Sequence, residues 1–295
     1  MAGLRVENAI DMHCHFGPDT FCEPHSNEGH AIVHSVTAFE AAREAHLAGY
    51  RGLVLKSHSF ASPSVAFALA QAVPGLQVFG GICTDHPSGG LNLSAVEAAL
   101  RLGGKIVWLP TVHSHQDYLD GKGEAFGIQG TGITVFDNEG QLLNSVREIF
   151  ALVQQHEAVL ATGHITALEH YAVVKEFAQS GKVLVTHAGE ELGGPKLSPR
   201  QCKELADLGA TIELTALSCN SVWGCRAKSA LEMANMISEV GYESCTLSSD
   251  YGWSIDVPRP ASGFRGFLER LWEVGVPEAE IVAMASSKPA ALLGI

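Results

Sequence analysis

Several things are scarce or missing in this sequence. No segment approaches the ~18 consecutive apolar residues that a membrane-spanning helix needs, and the opening Met-Ala-Gly-Leu-Arg-Val-Glu-Asn has no apolar signal-peptide core. Basic residues are few: 19 Lys and Arg stand against 32 Asp and Glu, a net charge of −13 that argues against nucleic-acid and anionic-membrane partners. The seven cysteines are odd in number and show no paired spacing, as expected of a reducing compartment, so the sequence reads as cytoplasmic. No Gly-x-Gly-x-x-Gly opens a helix after the first apolar run, which disfavours a dinucleotide-binding fold. Charged residues make up 17% and apolar ones 46%, enough for a large core, and wholesale disorder is excluded.

What is present is an alternation. Eight apolar, β-branched-rich runs read as strands covered on both faces: 9–15, 52–58, 77–84, 105–112, 158–164, 182–188, 210–216 and 244–250. Helical patterns separate them. Residues 37–48 end at Gly49, and 94–102 start with Ser94 as cap and end at Gly103-Gly104. Residues 166–179 start with Thr166 and carry Glu169 three later, and 198–208 start with Ser-Pro. Residues 264–274 and 277–284 follow the last strand. Eight strands with helices between them in 295 residues predict one domain over 1–295, a (β/α)8 TIM barrel. An open doubly wound sheet is the alternative. Two segments interrupt the repeat: a loop over 17–36, and 116–143 after the fourth strand, whose Gly-Ile-Thr-Val-Phe-Asp-Asn-Glu-Gly-Gln-Leu-Leu reads as a β-hairpin insertion. Both would lie on the face where βα-loops build substrate walls.

Fourteen histidines are present, and six of them, His13, His15, His58, His113, His164 and His187, fall at or just past the C-terminal ends of proposed strands. In a barrel these ends converge on one mouth. Six histidines there are poor core filler, because each needs hydrogen-bond partners, whereas a metal ion satisfies several at once. His13 and His15, two apart on a strand, project to the same side. Asp250 ends the eighth run, which would adjoin the first in a closed barrel, and supplies a carboxylate. It reads as a metal ligand that also takes a proton from the attacking water, against a turn cap before Tyr251-Gly252.

Together, Asp-Met-His-Cys-His, Ala-Thr-Gly-His-Ile, Val-Thr-His-Ala, Ser-Ser-Asp and the final Met-Ala-Ser-Ser-Lys-Pro-Ala-Ala-Leu-Leu-Gly-Ile resemble the amidohydrolase superfamily over almost the whole chain. Thr-Gly-His at the fifth strand makes the phosphotriesterase-like branch the nearest comparison. The resemblance implies that His13, His15 and Asp250 bind a first metal. It further implies that His164 and His187 bind a second or assist a mononuclear centre. The cofactor expected is a divalent metal, Zn2+ first, with Mn2+, Fe2+, Co2+ and Ni2+ also compatible with His/Asp ligands. In binuclear relatives a carboxylated lysine or a glutamate at the end of the fourth strand joins the ions. Here that position offers only Thr111 and His113, and Lys105 lies at the strand's other end.

Lys56, inside the second apolar run, is costly unless it faces a polar site. It reads as an internal ion pair, an anchor for a substrate anion or a carboxylated metal bridge, with His58 beside it as ligand or substrate donor. Glu213, also inside an apolar run, is either paired with a base or functional. Cys219 and Cys225 read as free thiols, and Trp253, Arg259 and Lys196 lie in late βα-loops within reach of substrate.

The expected activity is metal-dependent hydrolysis of an amide, lactam, ester or lactone bond in a small molecule. Its rivals are a metal-dependent decarboxylase of the same superfamily and a non-catalytic metal- or ligand-binding barrel. Homo-oligomers are common in the superfamily.

Overall fold

The computed structural model describes residues 4–19, 34–255 and 257–295. All eight expected strands are present, and all but the first end earlier than their apolar runs: β1 Ile10–His15, β2 Gly52–Lys56, β3 Gln77–Cys83, β4 Ile106–Trp108, β5 Val159–Ala161, β6 Lys182–Val185, β7 Thr211–Thr215 and β8 Cys245–Ser248. They pair in parallel, each with the next in sequence. The helices between them are α1 Ala38–Leu47, α2 Pro63–Ala72, α3 Leu93–Arg101, the short α4 His115–Leu119, α5 Asn144–Gln155, α6 Ala167–Phe177, α7 Pro199–Asp207 and α8 Ala230–Val240. After β8 come α9 Pro260–Glu273, α10 Glu278–Val282 and α11 Lys288–Leu293. This is a (β/α)8 barrel, and the open doubly wound alternative is excluded.

Local chemistry explains most helix ends. Thr37, Thr166, Ser198 and Ser229 each accept a hydrogen bond from the backbone three residues on, and a Glu or Gln there returns it. The expected Ser94 cap is corrected: Asn92, in extended backbone, accepts from the Ala95 amide at 3.2 Å. In the expected hairpin region the described residues form no two-stranded ladder. One antiparallel bridge, Phe136 to Leu142, closes a turn in which the Asp137 side chain accepts from the Glu139 and Gln141 amides. Of the loop expected over 17–36, residues 20–33 lie outside the described residues. Among the described residues no helix is long and apolar enough to cross a membrane.

Two apolar cores result. One lies between the sheet and the helices. The other fills the barrel interior with Ile10, Met12, Val54, Ile106, Trp108, Val159 and Leu184, and α11 plugs its lower end with Leu292 and Leu293. Lys182 ties that plug down by donating to the Leu292 carbonyl at 2.8 Å.

The barrel closes where β8 meets β1. Ile10 and Met12 point inward, so strict alternation would send His13 outward. The pairing of β1 with β2 shifts register between Asp11 and Cys14. Beyond the shift Cys14 joins the outer core, and His13 and His15 face the mouth. The Asp11 carboxylate serves the backbone there, accepting from the Ser249 amide at 2.9 Å and the His13 amide at 3.2 Å. The Asp250 amide donates to the His13 carbonyl and the His15 amide to the Tyr251 carbonyl, both at 2.8 Å.

Gly252 completes this closure. Its φ of +127° lies in a region that side chains rarely adopt, and a Cβ there would run into the His15 carbonyl oxygen. Gly252→Ala should therefore destabilise the protein by ~2–4 kcal/mol, seen as a lower urea midpoint at unchanged slope.

Candidate metal centre and substrate cavity

The strands deliver the expected residues to one place. The Asp250 Oδ1 lies 3.0 Å from His13 Nε2 and 3.0 Å from His15 Nε2, and all three side chains are buried. On the far side of the His13 ring, Nδ1 is 3.2 Å from Glu213 Oε2. Glu213 is held in turn by the Ser248 hydroxyl at 2.6 Å and the His187 amide at 3.1 Å. The buried acid in β7 is thus paired with a base and at the same time orients a site histidine. Asp250 (φ +56°) and His187 (φ +27°) both sit in left-handed backbone without being glycine, a strain that recurs at functional sites.

The electrostatics follow from burial and neighbours. Burial alone would depress His13, but Asp250 and Glu213 outweigh it and raise its pKa to about 9. Burial alone would raise Asp250, but His13 and His15 hold it well below the usual carboxylate range. Burial also drives His15 and His187 well below an ordinary histidine, so both are neutral imidazoles, the form that coordinates metal.

A divalent ion fits this arrangement. Two imidazole nitrogens and one carboxylate oxygen, all within 4.8 Å of one another, make a donor set suited to zinc-like ions. Hydrogen bonds alone serve the spot poorly. Lys56 Nζ also lies 2.9 Å from His13 Nε2, and one nitrogen cannot both donate to Asp250 and accept from Lys56. His15 Nδ1 is buried without a partner among the described residues. The Glu213–His13 pair resembles the carboxylate–histidine support common behind metal ligands.

His187 stacks on His13, ring centroids 5.8 Å apart, and its Nε2 meets His164 Nε2 at 2.9 Å. His164 Nδ1 is 2.5 Å from Asp117 Oδ2, and Asp117 accepts from Lys122 at 2.8 Å. If Nδ1 donates to Asp117, His164 Nε2 accepts from His187, and this pair is satisfied without an ion.

A second group of donors, His58, Cys83 and Asp85, lies deeper. Its centre is taken by the Thr111 hydroxyl, which bonds Asp85, meets His58 Nδ1 at 2.7 Å and also reaches Cys83. Asp85 further accepts from the Thr111 and His113 amides at 2.9 and 3.1 Å. These bonds pin the loop after β4. Asp85 escaped the sequence reading.

A pocket opens above the centre, lined by His15, Lys56, His58, His164, His187 and Asp250 with Phe126, Trp223, Trp253 and Glu190 among its other walls. Lys56 is fully buried, and its ammonium stands 5.5 Å from the Trp108 ring centroid. His113 does not line this cavity, because its amide is held by Asp85 and its ring meets His86 at 4.8 Å. Of Trp253, Arg259 and Lys196, the late-loop residues expected within reach of substrate, Trp253 lines it. Arg259 is engaged with Glu44 and the Ser35 carbonyl, and Lys196 borders a different surface depression. Cys219 and Cys225 are free. Glu190, three residues past His187, was also missed. Burial, and then the Asp250 carboxylate, push it up to about 8.

The His13 pKa gives a signed expectation. Its Nε2 must lose a proton before it can coordinate, so zinc affinity of the metal-free protein should rise roughly tenfold per pH unit toward pH 9 and level off above it. Calorimetry in two buffers of different ionisation enthalpy should show about one proton released per ion at pH 7. A pH-independent affinity between pH 6 and 8 would remove His13 from the ligand set.

Comparisons with known proteins agree with the fold. A search of curated proteins finds no significant sequence match. Among solved structures, an amidohydrolase from Pseudomonas aeruginosa is 13% identical, covering 97% of this chain and 95% of its own with a TM-score of 0.64. An amidohydrolase from Burkholderia multivorans with bound zinc is 16% identical, covering 97% of this chain and 99% of its own at 0.60. A 2,6-dihydroxybenzoate decarboxylase from Rhizobium is 9% identical, covering 100% of this chain and 99% of its own at 0.56. At these identities the likeness is one of fold. In sequence, residues 8–213 match the model of a family of unknown function (DUF6282), and the chain belongs to that family.

Proposed function

We propose that the protein is a metal-dependent hydrolase of the amidohydrolase superfamily, cleaving an amide, lactam, ester or lactone bond of a small molecule. One observation carries the reading: a single carboxylate oxygen, Asp250 Oδ1, stands 3.0 Å from the inward nitrogens of both His13 and His15 at the mouth of a barrel. His13, His15 and Asp250 would hold the ion, with His187 and His164 alongside. Zinc is the first choice, since a structural neighbour binds it, and Mn2+, Fe2+, Co2+ and Ni2+ suit the same ligands. Such an ion supplies Lewis acidity and makes water a nucleophile near neutral pH. The remaining steps belong to the chain. Asp250 takes the proton of the attacking water and passes it to the leaving group. Glu213 fixes the His13 ring, and Asp117 fixes His164. Lys56 and His58 line the cavity and meet the substrate. The buried apolar walls exclude competing water.

Nearness to the phosphotriesterase-like branch rests on Thr162-Gly163-His164 alone. A second reading, metal-dependent decarboxylation, is favoured by the similarity in fold to 2,6-dihydroxybenzoate decarboxylase. Assaying metal-loaded protein against amides, lactams, esters, lactones and aromatic carboxylic acids, with proton release and CO2 followed in parallel, separates the two. The His13→Ala/Asp250→Ala double variant should lose both the ion and at least ~1,000-fold of the turnover. Full metal occupancy in that variant would sink the assignment.

A further inference from the structure

Lys56 is the buried charge that the fold leaves unanswered. It ends β2, where alternation sends Val54 into the barrel interior, Leu55 into the outer core and Lys56 inward again. It is 1% exposed and the only buried lysine among the described residues. Its Nζ has one hydrogen-bond neighbour there, His13 Nε2 at 2.9 Å. That nitrogen is also a ligand of the proposed metal centre, and its lone pair cannot serve an ion and Lys56 together. The carboxylates around the mouth are held elsewhere: Asp250 by His13 and His15, Glu213 by His13 and Ser248, Asp85 by the Thr111 and His113 amides, and Asp19 by Ser57 and the His58 amide. None of them pairs with Lys56 among the described residues. A buried ammonium without a counter-ion is costly unless something brings it an anion. Lys56 lines the pocket beside His15, His58, His187 and Asp250, and the described lining holds no arginine and no other lysine. Of the two acids in that lining, Asp250 is engaged by its histidines. Glu190 is pushed up to about 8 by burial and then by Asp250, so near pH 7 it carries a proton and does not repel an anion.

We propose that Lys56 is the anion-recognising residue of this pocket and that the ligand it takes is a small carboxylic acid. The Lys56 ammonium donates to a carboxylate oxygen of the ligand, beside the His13–His15–Asp250 centre. The inference deepens the hydrolase reading and rests on it for the bond that reacts: the substrate is an amide, lactam, ester or lactone that bears a carboxylate close to that bond. A single ammonium matches a carboxylate better than a phosphate, which draws on arginine forks or a helix N-terminus. A ligand with a neutral group in place of the carboxylate leaves the ammonium buried and unpaired, so the pocket prefers the acid to its amide.

N-acetylglycine and N-acetylglycinamide test this, since both carry the same amide and differ by a carboxylate in place of a neutral carboxamide of the same shape. Titrations of the metal-loaded protein, followed by ligand-detected NMR, should show N-acetylglycine bound at least ~10-fold more tightly. In wild-type protein labelled at the lysine side-chain nitrogens, the slowly exchanging ammonium of the one buried lysine should shift with N-acetylglycine and stay in place with the amide. That measurement needs no variant to fold. Lys56→Met keeps the length without the charge. It should still take up zinc, because only a cation beside the ion is removed, and its preference for the acid should fall about 10-fold or more. Equal affinities in the wild-type protein would overturn the proposal, and so would an unmoved lysine resonance or failure of N-acetylglycine to bind. A preference that survives in Lys56→Met would assign the anion to the metal alone and overturn it too. Failure of the hydrolase reading is distinguishable: a protein that binds the acid at Lys56 yet hydrolyses no amide, lactam, ester or lactone keeps the anion site and loses the hydrolase. One that hydrolyses neutral substrates without preferring acids does the reverse.

Discussion

The carboxylate of Asp11 at the junction of β1 and β8 is the constraint on which the site depends. A parallel barrel must bring its last strand back to its first. Here the two meet through backbone bonds from Asp250 to His13 and from His15 to Tyr251, and the Asp11 carboxylate adds bonds from the Ser249 and His13 amides. Hydrogen bonds to an ionised acceptor are worth roughly 1.5–3 kcal/mol each, and burial, which raises the Asp11 pKa to about 6, offsets part of that gain. The register shift between β1 and β2 turns His13 and His15 inward just above Met12, and the bond from the Asp250 amide to the His13 carbonyl sets Asp250 beside them.

Around that junction the polar groups are sorted by the charge they can keep. Asp250 and Glu213 flank His13, which is a cation when no metal is present, whereas His15 and His187 are kept neutral by burial. An ion taking the place of the His13 proton leaves the two carboxylates still balanced. The His58–Cys83–Asp85 group shows the contrast, because there the Thr111 hydroxyl already bonds Asp85, meets His58 and reaches Cys83. Lys56 is the tense member of the set, a buried amine 2.9 Å from His13 and without an ion pair among the described residues.

Much of this was legible from residues alone. The eight strands follow from apolar runs punctuated by capped helices, and the convergence of His13, His15, His58, His164, His187 and Asp250 follows from strand ends sharing one mouth. The common facing of His13 and His15 was read from their spacing, whereas the register shift between Asp11 and Cys14 leaves no mark in a pattern of alternation. Asp85 and Glu190 escaped because each lies in a loop past its strand, where side-chain direction depends on tertiary contacts and not on period. His113 carried the expected spacing yet is turned away by the hydrogen bond its amide donates to the Asp85 carboxylate. The Ser94 cap failed for a simpler reason: Asn92 begins the helix two residues earlier and caps equally well.

The central claim is that His13, His15 and Asp250 form a metal centre, and elemental analysis of metal content per chain tests it most directly. The protein should be purified without chelator and without a metal-binding tag. The account predicts at least about one equivalent of a divalent transition metal, retained through dialysis. No bound metal, with none taken up on adding zinc or manganese, would contradict it.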